Sequence, residues 1–205
     1  MNFGIFIIYL CTITGLIFIN KIRPKFYSII VVLLILTSCN ETWVSVINKG
    51  LNGVFYYNIF SIVEITCWCY IFYKINHLKK KGWHFFFIFS IIIFSIVEII
   101  FRKGFHTYSY RLFSIFTIVT CLQYFYQLVE IEKKIVLWKD GTFWIMASLL
   151  IFHFVFFFYL TAIDIKEFRS AKDTLAAFRT VISIVNIIYY LMLSIGFLCL
   201  SFFRQ

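Results

Sequence analysis

Proline and charge are what this chain has least of. Its single proline, Pro24, and eight glycines, of which only Gly4, Gly15 and Gly196 lie inside apolar runs, leave few places where a helix would break. Membrane transporters that hold ions at unwound helices show Pro or Gly interruptions in paired segments, and this sequence has no such pair. Charged residues make up 14% of the chain and hydrophobic ones 62%, against about 25% and about 45–50% in soluble domains. That balance, with a mean hydropathy of +0.93, excludes a soluble globular domain.

Metal and covalent chemistry lack their residues too. The four histidines, His77, His84, His106 and His153, never form an HxxxH or HExxH pair, so no two imidazoles share a helical face. His153 stands alone among Leu149, Leu150, Phe156 and Phe157 and reads as a packed side chain. All six cysteines (Cys11, Cys39, Cys67, Cys69, Cys121, Cys199) fall inside apolar runs, which fits neither a disulfide framework nor a zinc pattern. Cys67 and Cys69 are two residues apart and on a helix would face different directions. No lysine follows Lys172, so a Schiff-base lysine in the last apolar run is ruled out. Paired carboxylates beside a nucleophile are also missing. No catalytic residue, metal or cofactor is therefore expected, and the chain reads as a non-enzyme.

What is present is a series of seven apolar runs, at about 3–20, 27–48, 55–73, 84–101, 111–130, 143–162 and 175–203. Runs of about 20 apolar residues are the mark of membrane-spanning helices, because lipid offers the backbone no hydrogen-bond partner. The expected fold is one all-α domain over residues 1–205, a seven-transmembrane-helix bundle. No connector exceeds roughly a dozen residues, the range of helix–helix connections in compact bundles. Residues 21–40 resemble a lipidation signal ending at Cys39, but a full apolar run precedes them, so they are read as the second helix. The net charge of +10 would suggest nucleic acid in a soluble protein. Here the basic residues sit in connectors and at helix ends, where they orient the chain and meet headgroups, so nucleic acid is not an expected partner. An N-out, C-in orientation places eleven of the 19 Lys and Arg residues inside and eight outside. The expected setting is integral to a membrane, the inner membrane of a bacterium.

Ionisable groups inside the runs carry the functional signal, since each costs at least about 2.5–3.5 kcal/mol at a helix centre unless it faces protein or water. Glu64 is the deepest, on a face with Tyr57, Cys67 and Trp68. It is either a proton- or cation-binding carboxylate or a protonated side chain shared between helices. Glu41 shares a polar face with Thr37, Ser38 and Ser45 and lies at a depth comparable with Arg179, so a structural Glu41–Arg179 pair competes with a binding role. Glu98 has Arg102 four residues on, in the favourable acid-before-base order, and reads as a structural ion pair. The fifth run carries the stripe Thr117, Thr120, Gln123, Gln127 and Glu130; the seventh carries Arg179, Ser183, Asn186, Tyr190 and Ser194. Such stripes usually bond helices together, and two of them with Glu41 and Glu64 could instead line a polar cavity. The ligand- or proton-binding candidates are thus Glu64, Glu41, Asn186, Tyr57, Gln123 and Gln127.

The hexapeptide FSIVEI occurs twice, at 60–65 and 94–99, and in so restricted a composition chance explains it as well as duplication does. Three functions remain open. The first is a sensory or accessory module acting through a ligand or a partner membrane or signalling protein. The second is a small-solute, proton or ion transporter or channel using Glu64. The third is a membrane effector that assembles from copies of itself, as in bacterial defence.

Overall fold

A computed structural model describes residues 3–44, 52–75, 81–101, 107–130, 136–165 and 172–203. Among these the chain is all-helical, with no strand. Seven α-helices follow one another: α1 (Phe3–Phe18), α2 (Ser28–Thr42), α3 (Asn52–Ile75), α4 (Lys81–Phe101), α5 (Thr107–Glu130), α6 (Gly141–Asp164) and α7 (Lys172–Phe202). Short 3-10 turns at Lys25–Tyr27 and Leu137–Lys139 lead into α2 and α6.

Every helix overlaps one of the apolar runs. Among the described residues four stretches are long and apolar enough to cross a membrane: Lys25–Thr42, Thr107–Glu130, Gly141–Asp164 and Ala176–Phe202. Gly4–Phe18 and Phe86–Phe101 are apolar but shorter. The third helix is diluted by Asn58, Ser61, Glu64 and Lys74. The expectation of seven helices is met in number, whereas the apolar length needed to span lipid is present in four.

The helices form a ring. Each packs on its neighbours in sequence, and α7 closes the circle by packing against both α6 and α1. Because the helices alternate in direction, the N-terminus, the end of α2 and the starts of α3, α5 and α7 lie at one end. The starts of α2, α4 and α6 lie at the other.

That second half is solid. Ile30, Val31 and Leu34 of α2 meet Trp68 and Phe72 of α3, Phe113 of α5, Met146 and Leu149 of α6, and Leu193 and Phe197 of α7 in one buried cluster. The spacings (Ile65, Trp68, Cys69, Phe72 on α3; Leu193, Phe197, Leu200 on α7) are the three- and four-residue steps of a single helical face. Helices in lipid gain little by burying apolar surface from other apolar surface, so close packing and hydrogen bonds must hold this half together.

Both are visible. At the start of α6, Gly141 faces Gly196 of α7 so closely that a Cβ on Gly141 would stand 2.6 Å from the Gly196 carbonyl oxygen. Small residues allow that backbone approach. Asp140 is the N-cap of α6: its carboxylate accepts the Thr142 backbone N–H at 2.8 Å and the Tyr124 hydroxyl of α5 at 3.0 Å. The Thr142 hydroxyl in turn bonds the Tyr27 hydroxyl at the start of α2, 2.6 Å away. Three helices are thus joined at this end through one buried polar network.

Candidate functional site

The half that holds the N-terminus is hollow. Six of the seven helices, all but α4, surround a cavity of about 980 Å³. Wide positions on α1 help to create it: a Cβ added at Gly4 would meet nothing within 4 Å. The volume is at the upper end of the range for small-molecule sites, about 300–1,000 Å³.

Acidic residues enter from two adjacent helices. Glu41 is one residue before the end of α2. Glu64 lies twelve residues beyond Asn52 on α3, about 18 Å along the helix. Each carboxylate is held by a tyrosine on another helix. The Tyr57 hydroxyl donates to Glu41 Oε1 at 3.1 Å, tying α3 to α2. The Tyr110 hydroxyl, from the first turns of α5, donates to Glu64 Oε2. Among the described residues neither glutamate has a second hydrogen-bond partner, so one oxygen of each is free to meet whatever occupies the cavity.

The opposite wall is aromatic and polar. Phe152, Phe156 and Tyr159 of α6 stack in succession, with ring centroids 5.2 and 6.1 Å apart. From α7 come Ser183, Asn186, Ile187 and Tyr190, at the helical spacing that points one face inward. The Ser183 hydroxyl is satisfied by the Arg179 carbonyl, 2.9 Å away. The Asn186 amide and the Tyr190 hydroxyl make no hydrogen bond to the described residues. Among the described residues no lining side chain is Lys, Arg or His.

Four of the six candidates read from the sequence therefore come together here: Glu41, Glu64, Tyr57 and Asn186. Gln123 and Gln127 do not line the cavity. Only the first turns of α5 reach it, through Tyr110, and both glutamines are half-buried farther along that helix, towards the solid end.

Of the two expected ion pairs, only Glu41–Arg179 falls within the described residues. Glu41 and Arg179 form no ion pair: Glu41 is engaged by Tyr57, while Arg179 is exposed. Arg102 lies outside the described residues. Glu98 is buried and caps α5, accepting the Tyr108 N–H at 3.2 Å, the Ser109 N–H at 2.9 Å and the Ser109 hydroxyl at 2.6 Å. An anion at a helix N-terminus satisfies unpaired N–H groups and meets the positive end of the helix dipole. Among the described residues an ion pair at this end joins α5 to α6, between Arg111 and Asp164.

The repeated hexapeptide acquires a local meaning. Its two glutamates, on antiparallel neighbours α3 and α4, both end on the first turns of α5, Glu64 at Tyr110 and Glu98 at Ser109. His153 is buried, 3.2 Å from the Ser114 hydroxyl through Nδ1 and edge-on to Phe113, and belongs to the packing between α5 and α6. No group of three metal-binding side chains occurs among the described residues.

Sequence reasoning passed over Tyr110 and Asp140. Nothing local marks Tyr110, whose partner is 46 positions away. Asp140 did carry a signal, an acidic residue directly before an apolar run, as N-caps do. No family model, curated protein or solved structure matches the chain.

Proposed function

We propose that this chain is a non-enzymatic membrane module that crosses the bilayer seven times, N-terminus outside, and binds a small ligand in the hollow outer half. Occupancy is then read by a partner membrane or signalling protein. The observation that carries this reading is the cavity itself, whose polar groups are incompletely paired: one oxygen each of Glu41 and Glu64, the Asn186 amide and the Tyr190 hydroxyl. These groups are half-buried and open onto one space, and a few convergent polar groups in a mainly apolar pocket suit an exchangeable occupant.

Seven crossings are supported by the ring, in which the shorter helices pack beside the four long ones, and by the distribution of basic residues, eleven against eight. A bundle of this kind suits a cytoplasmic membrane, since outer-membrane proteins of bacteria are built as barrels. A conducting pore is less well supported than a binding site. Trp68, Phe72, Phe113, Met146 and Leu149 pack together in the buried apolar cluster beside the cavity.

The test is native mass measurement of the untagged protein in mild detergent, on the wild type and on Gly4→Phe. The added ring enters open space beside the cavity and leaves the solid half untouched. A reproducible small-molecule adduct on the wild type that is lost from Gly4→Phe is the expected result. A bare chain that also fails to retain any offered ligand would overturn the reading.

A further inference from the structure

The cavity's chemistry has one sign. Among the described residues two carboxylates line it and no basic side chain does, and an occupant of complementary charge to those carboxylates is a cation. Carboxylates enclosed by protein are costly without a counter-charge, and one tyrosine hydroxyl on each supplies only a hydrogen bond. A bare metal ion does not fit, because no three metal-binding side chains converge among the described residues and about 980 Å³ far exceeds what an ion fills. Aromatic surface gives the remaining specification. The ring order places α6 across the bundle from α2 and α3, so Phe152, Phe156 and Tyr159 line the wall opposite Glu41, and Tyr110, bonded to Glu64 and edge-on to Phe156 at 5.6 Å, joins Glu64 to that wall. Ring faces attract ammonium groups, most strongly where water is displaced.

We propose that the cavity binds an organic cation, a protonated amine or quaternary ammonium of metabolite size, between Glu41 and Glu64 on one side and the α6 aromatic wall on the other. This rests on the ligand-binding reading above. The Asn186 amide and the Tyr190 hydroxyl would take a neutral polar group elsewhere on the same molecule. Free in solution or carried on a lipid headgroup, an ammonium is recognised by the same chemistry.

The experiment uses the full chain in phosphatidylglycerol nanodiscs. Binding of choline and benzyltrimethylammonium is compared with that of neohexyl alcohol, in which carbon replaces the quaternary nitrogen of choline. The cations should bind at least about tenfold more tightly than the alcohol. The Glu41→Gln/Glu64→Gln double variant should lose that preference while still binding the alcohol. Phe156→Leu, which keeps both carboxylates, should weaken the cations severalfold and more than it weakens the alcohol. If the alcohol binds as well as choline, or the double variant keeps its preference, the cation assignment falls and the ligand-binding reading stands. If none of the three probes binds the wild type, and no adduct accompanies it from the membrane, both fall. Adding phosphatidylethanolamine to the discs separates the sources: competition with choline identifies a headgroup amine, and unchanged choline binding identifies a free one.

Discussion

Glu98, near the end of α4, accepts both the backbone N–H and the hydroxyl of Ser109 in the first turn of α5, at 2.9 and 2.6 Å. One carboxylate therefore closes a helix it does not belong to, across a connector from 102 to 106. Glu98→Ala should leave the Tyr108 and Ser109 amides unsatisfied and cost about 1–3 kcal/mol. Glu98→Gln keeps one acceptor and loses the charge at the helix N-terminus, for a smaller loss of about 1 kcal/mol. Thermal unfolding in detergent should rank them wild type, Gln, Ala. Hydrogen exchange should accelerate first at 107–110. Equal stability of all three proteins would show that the cap contributes nothing.

The bond from Tyr110 to Glu64 links α5 to α3 across the edge of the cavity. Interhelical hydrogen bonds in membrane proteins contribute about 0.6 kcal/mol on average and up to about 1.7. Tyr110→Phe should destabilise the wild type by an amount in that range and have no effect in a Glu64→Met background. Glu64→Gln, which retains an acceptor oxygen, should keep most of the coupling. A double-mutant cycle measures this directly, and additive losses would place the two side chains out of contact.

How far the sequence discloses this molecule depends on how local each signal is. Helix positions are legible because a run of apolar residues is a local property, and α3, α5 and α6 begin and end within a few residues of the runs that suggested them. Glu41, Glu64, Tyr57 and Asn186 stand out because a polar side chain in an apolar run must face something. What that something is cannot be read from one helix. Gln123 and Gln127 are as conspicuous as Asn186, yet the cavity meets α5 only at its first turns and meets α7 along Ser183–Tyr190. Glu98 shows the same limit: Arg102, the nearest base in sequence, lies outside the described residues, and the amides of Tyr108 and Ser109 that Glu98 accepts belong to another helix, which no local pattern marks.

Asp140 is the counterpart of Glu98 at the solid end, and it serves two helices at once. It caps α6 through Thr142 and accepts the Tyr124 hydroxyl from α5. Asp140→Ala should cost about 1–3 kcal/mol, since it removes the cap and strands a buried hydroxyl. Tyr124→Phe, which leaves the cap in place, should cost less. Neither change should alter ligand binding, because neither residue lines the cavity. Loss of ligand in Asp140→Ala without loss of stability would mean that the two halves of the bundle are coupled.

The Gly141–Gly196 contact yields a ranking between two substitutions that look alike in the sequence. A Cβ at Gly196 would stand 3.0 Å from Ile145 Cγ1 and 3.2 Å from the Gly141 carbonyl oxygen, a tight fit eased by a small movement of the isoleucine. At Gly141 the same atom would stand 2.5 Å from Leu200 Cγ and 2.6 Å from the Gly196 carbonyl oxygen, and that backbone cannot retreat without parting the helices. Replacing glycine by alanine inside a helix otherwise gains about 1 kcal/mol of propensity. At Gly196, well inside α7, that gain should largely offset the crowding, leaving Gly196→Ala close to the wild type. Gly141 is the first residue of α6, where propensity counts for less, so Gly141→Ala should be clearly destabilised. Gly196→Leu should be worse than either. Melting temperatures of the three variants in one detergent decide the matter, and a Gly141→Ala protein as stable as wild type would show that α6 and α7 do not meet backbone to backbone.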